Sequence, residues 1–252
     1  MSAAEITERV AEASPRVKAR IAGGLYLLLG IMAGFAELYV RGRLVVRSDG
    51  AATAANILAH QSLYRLGGAA DLINVVCDTV LALLFYKLLK PVSRSLSLLS
   101  AFFRLMHVAI LAVSTIFHFA PLVLLGGGSD LSAFSAEQLQ AQALVSLRLH
   151  ALGYNICLVF FGFACLFLGI LIFRSSFLPR IFGVLMTLAG GCYVINSFAK
   201  LVAPGLARAL FPWILLPAFP AELGLPLWLL VVGLNLHRWK EQARAAGKFQ
   251  IL

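Results

Sequence analysis

The stretch that decides the fold is GGAADLINVVCDTVLALLFYKLL, residues 67–89. A helix needs about 20 consecutive, mainly apolar residues to cross a bilayer core, and this run supplies them without a proline before Lys87, Lys90 and Pro91. Inside it, Asp71, Asn74 and Asp78 stand at i, i+3 and i+7, which places them on one helix face. Ionisable groups are expensive in hydrocarbon. The run therefore reads as a span whose polar stripe turns away from lipid.

Working outward, the same pattern recurs along the chain. Apolar runs of spanning length cover Ile21–Val40, Leu96–Leu125, Ala143–Phe173, Pro179–Val202 and Leu210–Leu236. With 61% hydrophobic and 13% charged residues and a mean hydropathy of +0.91, the 252 residues depart far from soluble composition. The expected fold is all-α: a polytopic membrane bundle of about six transmembrane helices. It would comprise a polar segment 1–19, one membrane-embedded domain 20–238 and a tail 239–252. The polar segment is expected to be a frayed or amphipathic helix that stops near Pro15. Ile21–Val40 is too long for a signal-peptide core and leads into Glu37 and Arg41, so it reads as an uncleaved span.

The formal net charge of +10 comes from 21 Lys and Arg against 11 Asp and Glu. Basic residues crowd the connections on one side, which is the bias that orients membrane proteins, rather than a nucleic-acid footprint. It places both termini on the cytoplasmic side of an inner membrane. The first outer loop, Asp49–Leu66, is discordantly basic and too polar to span. Asp49 can cap a short surface helix beginning near Ala51 and running to Arg65. Ser135 before Ala-Glu-Gln-Leu is a second capping signal. Cys77, Cys157, Cys165 and Cys192 all fall in apolar segments with no zinc-like spacing.

An internal similarity aligns Arg20–Gly30 with Arg180–Gly190, and Ala70-Asp71-Leu72 with Ala221-Glu222-Leu223. Gly23, Gly30 and Gly34, like Gly183 and Gly190, suit close helix packing. The stretches 51–58, 86–92, 173–183 and 216–223 (AATAANIL, YKLLKPV, FRSSFLPRIFG and LPAFPAEL) carry a wider resemblance. They resemble a bacterial family of integral membrane proteins catalogued as domain of unknown function 4386. The resemblance runs from Arg20 to Leu236 and implies one helical membrane domain. It implies no activity and no catalytic residue.

The candidate chemistry lies in the spans. Arg104, His107, Ser114 and His118 share one stripe of the third. Arg148, His150 and Asn155 lie in the fourth, Asn196 and Lys200 in the fifth, Glu222 in the proline-rich sixth, and Glu37 near the outer end of the first. Turned inward together, these groups would surround a polar cavity open to the outer side. Within it Asp78 or Glu222 would be the acid or base, with His118 and His150 as metal or haem ligands or proton carriers, and Arg148 as the anion contact. Glu37, Asp71, Asn74, Arg104, His107, Asn155, Asn196 and Lys200 complete the binding set. Asp71 is expected to meet a basic residue of the first outer loop or the fourth span, with Arg41, Arg43 and Arg65 as ion-pair partners in reach, and Asp78 to lie within reach of Arg104, His107 or Glu222.

No nucleotide-binding, metalloprotease or serine-hydrolase motif is present. The Asp71/Asn74/Asp78 spacing is distantly similar to the acidic helices with which membrane prenyltransferases hold magnesium diphosphate, but the second acidic motif is missing. The residues assign no metal and no cofactor, and leave the oligomeric state open. The expected partners are membrane lipids and a small amphiphilic ligand. The leading expectation is a membrane-embedded enzyme or binding protein for such a molecule. The alternatives are a small proton-coupled transporter and a structural membrane subunit without chemistry.

Overall fold

A computed structural model describes residues 14–248, and no strand occurs among them. The helices in chain order are α1 (Pro15–Gly34), α2 (Gly50–Ala59), α3 (Gln61–Leu89), α4 (Arg94–Leu124), α5 (Ala136–Arg174), α6 (Arg180–Val202), α7 (Pro204–Leu210), α8 (Ala218–Val231) and α9 (Leu236–Lys248). Six segments of the described residues are long and apolar enough to cross a membrane. These are Pro15–Leu44, Gln61–Leu89, Arg94–Leu124, Ala136–Arg174, Arg180–Val202 and Trp213–Val231. The protein is an all-helical, multi-pass membrane bundle with a short helix, α2, in the first long connection.

Several boundaries differ from the sequence reading, each for a local reason. Residues 1–13 lie outside the described residues, but Pro15 starts a helix instead of stopping one. Proline needs no N–H at the first helical position, and its fixed φ suits that place. The surface helix ends at Ala59 and not Arg65, because α3 already begins at Gln61, six residues before Gly67. The sixth span is broken. α7 closes at Leu210, a 3-10 turn covers Trp213–Leu215, and α8 ends at Val231 before Gly233, whose φ of 77° turns the chain into α9. α5 has 39 residues, about 58 Å at 1.5 Å per residue, so it outruns a bilayer core of about 30 Å.

The caps form as their residues dictate. Asp49 accepts the Ala52 amide at 2.9 Å to start α2. Ahead of α5, Ser135 Oγ accepts from the Gln138 amide while Gln138 Oε1 accepts from the Ser135 amide, which makes a reciprocal capping box.

Contacts gather the chain into two compact units. The first comprises the described residues of Met1–Leu27, Asp78–Leu105 and Leu158–Leu252, and the second comprises Leu28–Cys77 and Met106–Cys157. In the first, α5 and α6 cross at paired glycines seven residues apart on each helix. A Cβ on Gly190 would lie 2.6 Å from the Gly162 carbonyl oxygen, and one on Gly169 would lie 2.7 Å from that of Gly183. Only hydrogen at these positions lets the backbones approach so closely. Gly23 meets the α8 backbone in the same way. Gly30 and Gly34 do not act as packing glycines, since a Cβ there would meet nothing within 4 Å. In the second unit, Ile57 of α2 packs with Val40, Leu44, Tyr64 and Leu147. Thr53 Oγ1 donates to the Asp49 carbonyl, and Asn56 Nδ2 donates to that of Leu44, which ties α2 to the end of the first span.

Candidate functional site

The candidate groups fall into two constellations, one described within each unit. In the second unit, α1 is continued by a π-helical stretch, Phe35–Arg41, and a last α-helical turn, Gly42–Leu44. π-Helical turns are rare and occur often at functional positions. This one carries Glu37 and Arg41, four residues apart and ion-paired at 2.8 Å.

Arg41 is the hub. Its Nη1 donates to Asp71 Oδ2 at 2.7 Å and its Nη2 to Asp71 Oδ1 at 3.0 Å, the two-pronged pairing that suits a planar guanidinium. Nη1 also lies 3.3 Å from His118 Nδ1. His118 Nε2 lies 3.0 Å from the Tyr64 carbonyl oxygen. A carbonyl can only accept, so Nε2 carries the proton and Nδ1 offers its lone pair to Arg41. Tyr64 returns a hydrogen bond from its hydroxyl to the His118 carbonyl at 2.5 Å, and the two rings stack at 4.3 Å.

His150 donates from Nδ1 to the Ser114 carbonyl at 2.9 Å. Its Nε2 faces Glu37 Oε1 at 3.8 Å and makes no hydrogen bond of its own. Asp71, His118 and His150 are buried, whereas the Glu37 side chain is 31% exposed. Glu37 is therefore the edge at which this network can be reached. Two carboxylates, Glu37 and Asp71, against one guanidinium leave a formal charge of −1. Tyr154 packs along the His150 ring at 6.5 Å.

In the first unit, Arg104 Nε donates to Asp78 Oδ1 at 2.5 Å, and both side chains are buried. The guanidinium lies 5.1, 5.4 and 5.5 Å from the ring centres of Tyr26, Phe85 and Phe161, within cation–π range of all three. Glu222, from the proline-rich sixth segment, is hydrogen-bonded to Tyr193 and feels the charges of Arg104 and Asp78. The open space beside Arg104 is about 10 Å³, room for roughly one water. Aromatic rings close over the guanidinium at this pair.

The remaining candidates fall as follows. Asn74 is buried beside Asp71 on the α3 stripe. His107 is buried with Nδ1 3.1 Å from the Cys157 carbonyl. Asn155 donates back to the Ala151 carbonyl of its own helix, and Asn196 is buried without a hydrogen bond to its amide atoms. Lys200 lies over the Phe211 ring at 5.2 Å. Arg148 stands on α5. It is exposed and donates to the Arg47 carbonyl at 3.2 Å.

His118 and His150 do come close, with ring centres 5.7 Å apart, but their arrangement does not fit a shared metal or haem. Both ring nitrogens of His118 are already engaged, and no three His, Cys, Asp or Glu among the described residues form a metal-binding group. Sequence reading named Arg41 only as one of three ion-pair partners for Asp71, a pair the structure forms, and it missed Tyr64 and the ring cage of Tyr26, Phe85 and Phe161. The Glu37/Arg41 spacing of four was the signal that could have found the hub. Nothing in the sequence marks the aromatics apart from other packing residues.

The chain matches, over residues 21–233, the family described as "Domain of unknown function (DUF4386)". The chain belongs to this family. A protein of Archaeoglobus fulgidus named "Uncharacterized protein" is 25% identical over 162 residues, which cover 64% of this chain and 80% of that protein. No solved structure matches the chain.

Proposed function

We propose that this DUF4386 protein binds the polar head of an amphiphilic, lipid-like molecule at Glu37 and His150 and exchanges a proton with it. One observation carries this reading. Glu37 is the partly exposed edge of an otherwise buried ion-pair network, and it faces a ring nitrogen of His150 that has no hydrogen bond. The formal charge of −1 favours a head that is cationic or donates hydrogen bonds. Leu38 and Tyr39, exposed beside Glu37, offer apolar surface to the rest of the molecule. Arg41, Asp71, His118 and Tyr64 hold the pair in place instead of meeting the ligand.

The polar groups of the first unit read differently. Arg104 under three aromatic rings, paired with Asp78 and with almost no space beside it, supports a structural strut. The basic bias of the connections supports an inner-membrane orientation with both termini on the cytoplasmic side.

Native mass spectrometry of the protein, purified in mild detergent from its own membranes, tests the proposal. Wild type should carry a co-purifying amphiphile, and Glu37→Gln should lose it while still accepting the Arg41 hydrogen bond and folding. Arg148→Gln should carry it unchanged. Equal retention by wild type and Glu37→Gln, or no amphiphile in wild type, would overturn the reading.

A further inference from the structure

At one end of the first unit, the start of α1, the α5–α6 turn and the α8–α9 turn enclose a cavity of about 560 Å³. Its polar wall comes from Arg16, Ser176, Asn235 and Arg238, and its apolar wall includes Phe177 and Trp228. The frame around it is braced. The Asn235 amide donates to the Phe177 carbonyl at 3.2 Å, and the Ser176 amide and hydroxyl both donate to Gln242 Oε1, at 3.0 and 2.9 Å. Asn235 Oδ1 caps α9 by accepting from the Arg238 amide at 3.1 Å, and Trp239 Nε1 anchors the same helix on the Leu88 carbonyl at 2.8 Å. Gly233, at a positive φ that other residues rarely adopt, brings this turn against Arg16.

The sign of a ligand follows from the surrounding charge. Segments 14–20, 87–94, 174–180 and 233–248 hold twelve Lys and Arg and a single acid, Glu241. Glu241 faces His237 at 3.4 Å. Of the twelve, Arg16 and Arg238 line the cavity. The Arg238 guanidinium donates to the Ser176 carbonyl at a long 3.4 Å.

We infer that this cavity binds a phosphate group between Arg16 and Arg238. A guanidinium presents paired N–H donors that match phosphate oxygens, and two such groups at the end of a membrane span form the kind of basic pocket that takes anionic headgroups. Trp228 and Phe177 provide apolar surface for what the phosphate is attached to, which favours an anionic phospholipid over the free ion. The inference uses no residue of the Glu37–His150 site and does not rest on the reading given to that site.

The experiment compares four full-length proteins: wild type, Arg16→Gln/Arg238→Gln, Lys240→Gln and Arg244→Gln. Each is reconstituted in phosphatidylcholine nanodiscs with and without phosphatidylglycerol, and retained lipid is counted by native mass spectrometry after release. Wild type, Lys240→Gln and Arg244→Gln should retain phosphatidylglycerol, and the double variant should bind it about tenfold more weakly or worse. A parallel arm titrates inorganic phosphate against thermal stability in pure phosphatidylcholine. Stabilisation there that is lost in the double variant, without retained phosphatidylglycerol, would identify free phosphate as the source and leave the site standing. Thermal midpoints without probe report folding, and exposed Arg16→Gln alone decides if the double variant unfolds. Equal binding by all four proteins, or equal losses in Lys240→Gln and Arg244→Gln, would show only a diffuse basic field and overturn the inference.

Discussion

Replacing Asp78 by alanine leaves the Arg104 guanidinium buried without its carboxylate. Arg104 is 2% exposed, and the rings of Tyr26, Phe85 and Phe161 lie over it at 5.1–5.5 Å. Breaking a buried pair from one side costs about 3–5 kcal/mol. An independent figure, the cost of an arginine at the centre of a membrane helix, is about 2.5–3.5 kcal/mol on insertion scales. Both point to a loss near 3 kcal/mol for Asp78→Ala. Asp78→Asn keeps an acceptor for Arg104 Nε and should lose less, about 1.5–3 kcal/mol. The double variant Asp78→Ala/Arg104→Met removes the charge altogether and puts a flexible thioether among the three rings, so it should recover most of the loss. Reversible unfolding in mixed detergent micelles measures all three. The strut assignment is wrong if Asp78→Ala lies within about 1 kcal/mol of wild type, or if the double variant is as unstable as the single one.

Four further variants probe the packing, the cap and the surface. Gly190→Ala should destabilise by about 1–3 kcal/mol because its Cβ meets the Gly162 carbonyl oxygen and the Leu166 amide at 2.6 Å. Gly191→Ala, with nothing within 4 Å, should instead stabilise by up to about 1 kcal/mol through helix propensity. Thermal unfolding of the two variants side by side tests both. Asp49→Ala should cost about 1 kcal/mol by removing the cap on the Ala52 amide, visible as faster amide exchange confined to α2. Arg148→Gln should change stability by no more than about 0.5 kcal/mol, since the side chain is exposed and touches one backbone carbonyl.

The spans were legible because hydropathy and length are one-dimensional properties of the chain. So was the cap at Asp49, which needs only a short side chain one residue ahead of a helix. The i, i+3, i+7 spacing correctly marked Asp71, Asn74 and Asp78 as a buried stripe. It left Arg41 as one of three partners for Asp71 and Arg104 as one of three for Asp78, because the choice among them is made by how neighbouring helices pack. The break in the sixth span was signalled by Pro217, Pro220 and Pro226, but its site was not. The glycine pairs Gly162/Gly190 and Gly169/Gly183 need the register of two antiparallel helices, and only one partner of each pair was noticed. Arg148 stood out in the sequence for its charge alone. Its place at the surface follows from the way α5 is rotated.

The central claim, that Glu37 and His150 form the edge at which an amphiphile's head is held, is tested most directly by an experimental structure. The protein would be extracted with its native lipids and imaged in nanodiscs. The account predicts a polar head in hydrogen-bond contact, about 3 Å, with the Glu37 carboxylate or His150 Nε2, and a tail running along Leu38 and Tyr39. A map in which Glu37 closes directly onto His150, or in which only hydrocarbon lies beside them, would contradict it.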